Sequence, residues 1–240
     1  MAKVALFDIL GFFKKNNIKL IEKRDEIGDS YLFSLEFSGK VQWKPGQHGM
    51  FQFQGEKIDG GNFRPFSVAS TEGENIIKIL TKIGDKPSGF KQRLRTMDIG
   101  ESILLRGPFG GFYISDYNKP ICMVAGGTGI TPFRSMLIDL EKNQGLKDIE
   151  LLYIDSSEQF AFKDELKDIE NNNSKIKVKY LRERKDLEEE LYSFVNKYNN
   201  GATYFISGNP KMVKDIRDKI RSKNIKRKNI ISEQFRGYKW

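Results

Sequence analysis

The feature that most constrains this fold is a change in hydrophobic pattern near Pro120. Before it, short apolar runs rich in aromatic residues are separated by glycine, proline and aspartate. These runs lie at residues 31–37, 49–54, 75–83 and 101–107. Their spacing is typical of antiparallel strands in a sandwich or barrel, interrupted by one helical stretch at residues 88–96. The first part of the chain is therefore predicted to be an antiparallel β-domain.

After Pro120, short apolar runs alternate with amphipathic stretches. The runs lie at 121–127, 149–154, 175–181 and 203–208, and the stretches at 132–143, 160–170, 186–198 and 210–223. This alternation predicts βαβ units and a doubly wound parallel sheet. The 240 residues suffice for two small domains. We predict an N-terminal extension at 1–17, a β-barrel domain at 18–115 and an α/β domain at 116–240.

The counts of cysteine and histidine exclude most metal chemistry. A single cysteine, Cys122, excludes an intrachain disulfide and a cluster held by the thiolates of this chain alone. A single histidine, His48, disfavours an all-protein zinc site. We interpret His48 as a barrel residue and Cys122 as a buried small apolar residue. Redox chemistry here would need an organic cofactor.

The apolar segments are too short for a membrane helix, which needs about 20 residues. The most apolar N-terminal stretch, residues 4–13, is broken by Asp8 and Gly11 and lacks the features of a secretion signal. We therefore expect a cytoplasmic protein with no transmembrane segment. Whether residues 4–13 pack on the barrel or contact a membrane or a partner stays open.

The net charge is +9, and residues 211–228 carry nine basic and two acidic side chains. This segment is either a solvated helix face or a docking surface for an acidic partner or a phosphate. The third hypothesis is that this segment belongs to a nucleic-acid-binding module. It is disfavoured because aromatic residues are not interleaved with the charges, so stacking platforms are missing.

The strongest local motif is the turn Gly126-Gly127-Thr128-Gly129, which follows an apolar strand and opens a helix. Glycines allow the backbone to approach a ligand, and free N–H groups at a helix start favour a pyrophosphate. Pro132 suits the first helical turn. The spacing matches neither G-x-G-x-x-G nor a P-loop, so an ordinary glycine-rich turn is the alternative.

Two segments of the first half could bind a planar anion. Arg64-Pro65-Phe66-Ser67 combines a cation, an aromatic ring and a hydroxyl on one extended segment, with Arg64 and Phe66 expected on the same face. The second runs from Gly84 to Ser88 and Gly89 and enters the short helix. Ser88 is also a plausible N-cap, which is the structural alternative.

Two further segments lie in the second half. Ser207-Gly208-Asn209-Pro210 stands at a strand-to-helix junction, two residues before Met212. The C-terminal tail contains Glu233 and three aromatic residues: Phe235, Tyr238 and Trp240. Termini usually fray in solvent, so these aromatics are expected to cover something flat or to pack on the barrel.

These five segments, in this order, resemble the ferredoxin–NADP(+) reductase superfamily over nearly the whole chain. The resemblance implies a Greek-key barrel that binds FAD, followed by an NAD(P)-binding domain. It implies that Arg64 meets the flavin pyrophosphate, Phe66 packs on the isoalloxazine and Ser67 addresses flavin N5. Gly84, Ser88 and Gly89 resemble the helix start on the pyrophosphate, although this loop is slightly long for the family.

The resemblance also implies a nicotinamide site. The Gly126–Gly129 turn would hold the pyrophosphate, and the segment from Ser207 to Met212 resembles the family's Cys-Gly-x-Pro-x-Met element, with serine in place of cysteine. Glu233 would lie near flavin N5 and Phe235 over the isoalloxazine. Tyr238 or Trp240 could stack there instead.

The implied function is hydride transfer from NAD(P)H to FAD and electron release to a separate acceptor such as ferredoxin, flavodoxin or a partner oxidoreductase. Ser67 and Ser207 would tune that transfer. Asp155 ends a strand where a carboxylate would repel a 2′-phosphate, which favours NADH over NADPH; Arg182, Arg184 or Lys211 near that position would favour phosphate. The alternative is a non-autonomous electron-transfer or regulatory subunit.

Overall fold

The computed structural model describes residues 11–143 and 145–235, which divide into two compact units between Tyr113 and Ile114. This division lies two residues before the boundary that the sequence pattern predicts. Within these residues, no helix is both long and apolar enough to cross a membrane.

The first unit contains an antiparallel sheet in the order β4-β3-β6-β1-β2-β5. Its strands are β1 Lys15–Ile27, β2 Ser30–Phe37, β3 His48–Gln52, β4 Phe63–Ser67, β5 Ile77–Lys82 and β6 Ser102–Phe109. The Ala69 N–H donates to the Lys78 carbonyl at 2.8 Å, which brings the end of β4 beside β5. Strand β6 returns to lie beside β3, as in a Greek key. The predicted antiparallel Greek-key architecture is confirmed.

Strand β1 is absent from the strands predicted above. It is mostly charged or polar, and Ile18 and Leu20 are its buried side chains. It forms because it pairs antiparallel with both β2 and β6. The strand begins inside the segment assigned to an N-terminal extension at 1–17, since Lys15 already pairs with Arg106. Residues 4–10, whose role we left open, lie outside the described residues.

Helix α1, Gly89–Thr96, packs on the barrel core through Phe90 and Leu94, which are both fully buried. The Phe90 ring lies 5.0 Å from that of Phe53. On the same helix, the Arg93 guanidinium forms two hydrogen bonds with the Glu56 carboxylate, at 2.7 and 2.9 Å. Apolar burial and this ion pair together fix the helix against the loop between β3 and β4.

The second unit is a parallel sheet in the order β11-β10-β7-β8-β9. Its strands are β7 Ile121–Gly126, β8 Ile149–Ile154, β9 Ile176–Leu181, β10 Thr203–Gly208 and β11 Ile230–Gln234. Its helices are α2 Thr131–Glu141, α3 Lys163–Asn172, α4 Arg184–Tyr198 and α5 Pro210–Ser222.

Helices cover both faces of this sheet. Helices α4 and α5 bury their apolar side chains against Cys122, Val124 and Ile206. Neighbouring strand residues point to the opposite face, where α2 and α3 are joined by hydrogen bonds between Arg134 and Glu165 at 2.6 and 2.7 Å. The predicted doubly wound parallel sheet is confirmed.

Two elements differ from their predicted form. Helix α3 begins at Lys163, three residues later than predicted, because Phe162 before it adopts the left-handed conformation with φ 61°. Residues 230–234, part of which we treated as a tail, form strand β11 because they pair in parallel with β10.

Candidate functional site

The candidate site of the α/β unit lies where its strand order reverses. From β7 the chain proceeds to β8 and β9 on one side, and it later returns to the other side as β10 and β11. Ligands of open α/β sheets bind outside the carboxyl ends of the strands at such a switch point. Here β7 leads into a 3-10 turn, Gly127–Ile130, and then into α2. Strand β10 leads through Asn209 into α5.

Three glycines allow these two connections to touch. A Cβ atom at Gly129 would lie 2.2 Å from the Ser207 carbonyl oxygen. A Cβ atom at Gly126 would lie 2.4 Å from the sulfur of Met212, and one at Gly208 would lie 2.8 Å from the Met212 Cε. No larger residue fits at these positions without movement of the backbone or of Met212. The structure therefore brings the Gly126–Gly129 turn and the segment from Ser207 to Met212 together.

The turn presents backbone to a ligand. Gly127 has φ +52°, which favours glycine, and the Thr131 hydroxyl donates to the Thr128 carbonyl at 2.6 Å. Pro132 lies in the first turn of α2, as predicted. Unpaired N–H groups at a helix start and the positive end of the helix dipole make such a turn suitable for a phosphate.

Ser207 carries a buried hydroxyl that needs a partner. The residue is 0% exposed, and its Oγ forms no hydrogen bond within the part of the chain that the structure describes. Leaving a buried polar group unpaired costs about 1–3 kcal/mol. A ligand group at the switch point could supply the missing hydrogen bond. Asn209, by contrast, has a structural role, since its side chain accepts the Met212 N–H at 3.0 Å and caps α5, whose first residue is Pro210.

Asp155 lies at the end of β8 beside the glycine turn. Its Oδ1 accepts the Ser157 N–H at 2.8 Å, which fixes the carboxylate. A Cβ atom at Gly127 would lie 3.7 Å from its Oδ2. Arg182, a possible phosphate ligand, instead pairs with Glu158 at 3.4 Å on the surface.

The end of β11 reaches the same edge of the sheet. Glu233 is the register partner of Ser207, and the Phe235 N–H donates to the Gly208 carbonyl at 2.8 Å. Both residues are half-buried. Tyr238 and Trp240, the other tail aromatics, lie outside the described residues.

In the barrel unit, Arg64 and Phe66 share one face of β4, as their alternation predicts. The Arg64 guanidinium lies 5.7 Å from the centre of the Phe90 ring, and the Phe66 ring lies 6.0 Å from it. Arg64 is 6% exposed and donates to the Gly60 and Phe63 carbonyls at 2.8 and 2.7 Å. Phe66 is half-buried, and Pro65 between them is exposed.

Ser67 ends this strand in a buried position opposite His48 of β3. The His48 ring packs edge-on against Phe109 with centroids 4.6 Å apart, so His48 is a barrel residue as interpreted. Cys122 of the other unit is fully buried, and burial raises the pKa of its thiol well above the usual value.

The start of α1 lies beside Arg64. Ser88 occupies the N-cap position, as predicted, although its hydroxyl forms no capping hydrogen bond. A Cβ atom at Gly89 would lie 2.6 Å from the Asp59 carbonyl oxygen, so glycine is needed there. A Cβ atom at Gly84 would meet nothing nearer than 3.7 Å, and nothing in the structure requires glycine at that position.

Lys91 was missed by the sequence reasoning. It stands in the first turn of α1, and its ammonium donates to the Lys82 carbonyl at 2.6 Å. Burial, and then the charge of Arg64, lower the pKa of Lys91. The available signal was a basic residue at a helix start, where the helix dipole disfavours a cation.

Comparisons with known proteins show which oxidoreductases this chain is similar to. A family model described as the oxidoreductase NAD-binding domain matches residues 123–218. The 2-halobenzoate 1,2-dioxygenase electron transfer component of Burkholderia cepacia is 27% identical over 218 residues, which are 85% of this chain and 62% of that protein. The toluate 1,2-dioxygenase electron transfer component of Pseudomonas putida is 27% identical over 204 residues, or 82% of this chain and 60% of that protein. These matches agree with the resemblance to the ferredoxin–NADP(+) reductase superfamily that the sequence motifs carry.

Solved structures share the fold. Ferredoxin-NADP+ reductase from Plasmodium falciparum superimposes with a TM-score of 0.78 at 18% identity, covering 92% of this chain and 97% of that one. A cytochrome P450 reductase from Amycolatopsis gives 0.78 at 16% identity, covering 92% and 70%. The chain spans about three fifths of the length of the two dioxygenase components.

Replacing Gly129 by alanine tests the contact between the two connections. We expect Gly129→Ala to lower the free energy of unfolding by about 1–3 kcal/mol, because the new methyl group would displace the Ser207 backbone. Gly201→Ala is the control, since a Cβ atom there has nothing within 4 Å, and we expect a change within about 0.5 kcal/mol. Urea unfolding measures both. Equal effects of the two substitutions would contradict this packing.

Proposed function

We propose that the protein is an FAD-dependent NAD(P)H oxidoreductase that passes electrons to a separate acceptor. The observation that carries the proposal is the buried, unpaired Ser207 hydroxyl at the switch point, next to a glycine turn that presents its backbone. The carboxamide of a nicotinamide dinucleotide could form a hydrogen bond with that hydroxyl, while the pyrophosphate of the dinucleotide lies on the turn.

The residues of the barrel unit fit FAD. Arg64 supplies a buried cation beside the start of α1, where the Ser88 hydroxyl is not used for capping. Arg64, Ser88 and Gly89 would therefore hold the flavin pyrophosphate by charge-assisted hydrogen bonds. Gly84 would shape the loop that leads to this helix start. When bound, FAD supplies the capacity to accept a hydride and to release electrons singly.

Two residues of β4 would position the flavin ring. Phe66 offers a half-buried aromatic face, although it lacks the phenolic hydroxyl of tyrosine. Ser67 would donate a hydrogen bond toward flavin N5, at the buried end of the same strand. Neither residue acts as a strong acid or base, so their role is orientation.

The α/β unit would bind the nicotinamide dinucleotide. Gly126, Gly127, Thr128 and Gly129 would face the pyrophosphate, and Gly208 and Met212 keep the turn in place by close packing. Ser207 would orient the nicotinamide, and Glu233, its neighbour in register, would serve as a proton or orientation partner. Phe235, whose backbone is bound to Gly208, would cover an aromatic ring.

The nicotinamide partner is proposed to be NADH. Asp155 holds its carboxylate beside the glycine turn, where it could accept a hydrogen bond from a ribose hydroxyl and would repel a 2′-phosphate. Arg182 is ion-paired with Glu158. Arg184 and Lys211 are exposed, and no contact directs them to this position.

The acceptor is proposed to be an acidic electron-carrier protein. Both dioxygenase relatives are named electron transfer components, which supports a separate acceptor. Residues 211–228, in and after α5, carry nine basic side chains, most of them exposed. Lys219 is partly neutralised by its ion pair with Glu188. This basic segment would attract an acidic carrier by long-range electrostatics.

Flavin uptake and anaerobic reduction test the proposed function. Purified protein given excess FAD and then desalted should stay yellow, and NADH added without oxygen should bleach the flavin colour. Ser207→Ala should retain FAD but bleach more slowly, because it loses the hydroxyl that orients the nicotinamide. A protein that stays colourless, or one whose flavin NADH does not reduce, would overturn the proposal.

The Asp155→Asn substitution tests the choice of nicotinamide. Asparagine retains the acceptor for the Ser157 N–H but removes the charge, so we expect the ratio of kcat/KM for NADH over NADPH to fall roughly tenfold as like-charge repulsion is lost. Asp168→Asn, on the exposed surface of α3, is the control. An unchanged ratio in Asp155→Asn would refute this role of the carboxylate.

The Phe235→Ser substitution tests the covering aromatic. A stacked ring contributes of order 1 kcal/mol beyond its buried area, so its loss should change the KM for the nicotinamide several-fold or shift the NADH/NADPH preference. Phe13→Ser, which removes a phenylalanine that is 70% exposed, is the matched control. If neither the KM nor the NADH/NADPH preference changes, Phe235 is excluded as the aromatic residue that covers the ligand ring.

A further inference from the structure

We propose that Lys91 is a further residue of the flavin site, where its ammonium group binds the diphosphate of FAD together with Arg64. This inference rests on the proposed function, because it concerns the ligand of the same site. It adds a residue that the motifs of the sequence did not indicate.

The position of Lys91 follows from α1. It is the third residue of the helix, and its neighbour Phe90 is buried beneath the Arg64 guanidinium at 5.7 Å. The first turn of α1 therefore places Lys91 beside the same helix start that Ser88 and Gly89 form. Arg64 lies near the start of α1 from strand β4, and Lys91 lies there on α1 itself.

Lys91 lacks an anionic partner within the described residues. Its ammonium donates to the Lys82 backbone carbonyl, and it forms no ion pair there. Partial removal of a charged group from water is unfavourable unless another group compensates it. One carbonyl oxygen satisfies one of the three ammonium donors.

The surroundings of Lys91 are also electrostatically unfavourable for a cation. The nearby Arg64 carries a like charge, and the positive end of the α1 dipole lies at the same place. Burial and Arg64 both lower the pKa of Lys91. A diphosphate carrying two negative charges would offset the repulsion from Arg64 and from the helix dipole, and its oxygens would accept hydrogen bonds from the ammonium.

A purely structural role is the competing explanation. The hydrogen bond to Lys82 links the first turn of α1 to the end of β5, so Lys91 could serve only to fasten the helix. That role would affect every flavin equally, since it concerns the shape of the barrel. A diphosphate-binding role would affect FAD but not riboflavin, which has no phosphate.

Flavin titrations of the full chain separate these two roles. We expect Lys91→Gln to raise the Kd for FAD at least tenfold, because a charge-assisted hydrogen bond is lost. The Kd for riboflavin should change less than about twofold. Lys91→Arg should recover most of the FAD affinity. Lys82→Gln is the matched control, since it removes an exposed charge and keeps the Lys82 carbonyl.

Three results would overturn the inference. An unchanged FAD affinity in Lys91→Gln would show that the ammonium does not contact the diphosphate. Equal losses for FAD and riboflavin would assign Lys91 a structural role. If the wild-type protein binds neither flavin, the proposed function fails and this inference fails with it. If the wild-type protein binds FAD normally, either of the first two results rejects only the role of Lys91 in binding the diphosphate.

Discussion

The close approach of the Gly127–Ile130 turn to the end of β10 is the constraint on which the α/β site depends. It requires a hydrogen in place of a side chain at Gly129, because the Ser207 carbonyl occupies the position of a Cβ atom. At this place the Ser207 hydroxyl is buried and has no hydrogen-bond partner within the described residues. Parallel pairing of β10 with both β7 and β11 then places Glu233 and Phe235 at that edge. Packing and pairing of backbone thus position Ser207, Glu233 and Phe235.

The candidate sites of both units are built around the start of a helix, at different places in the two folds. Each presents a helix start next to glycine: α2 begins after the Gly127–Ile130 turn, and α1 begins at Gly89. In the proposed sites, the barrel unit would add side-chain cations, whereas the glycine turn of the α/β unit would bind its ligand through backbone N–H groups. Glycine is required at Gly126, Gly129 and Gly208 because a Cβ atom would collide there, and the barrel unit buries the charge of Arg64.

The sequence predicted the architecture because hydrophobic periodicity differs between the two halves. It did not indicate β1, whose few buried residues, Ile18 and Leu20, are separated by charged ones, or β11, whose five residues form a strand through pairing with β10. Whether such segments form strands depends on their pairing with neighbouring strands and not on the local hydrophobic pattern. The sequence also predicted Ser88 as the N-cap residue of α1, but it could not show that the Ser88 hydroxyl forms no capping hydrogen bond. Lys91 became visible only when the fold placed it beside Arg64.

We propose that each unit binds one dinucleotide at its own helix start, the barrel unit at α1 and the α/β unit at α2. Backbone hydrogen exchange, measured with FAD alone and with NAD+ alone, tests it most directly. FAD should slow exchange at residues 89–92 and leave the glycine turn unchanged, while NAD+ should slow exchange at residues 127–131 and leave α1 unchanged. Protection by both ligands at one site, or protection at neither, would contradict this account.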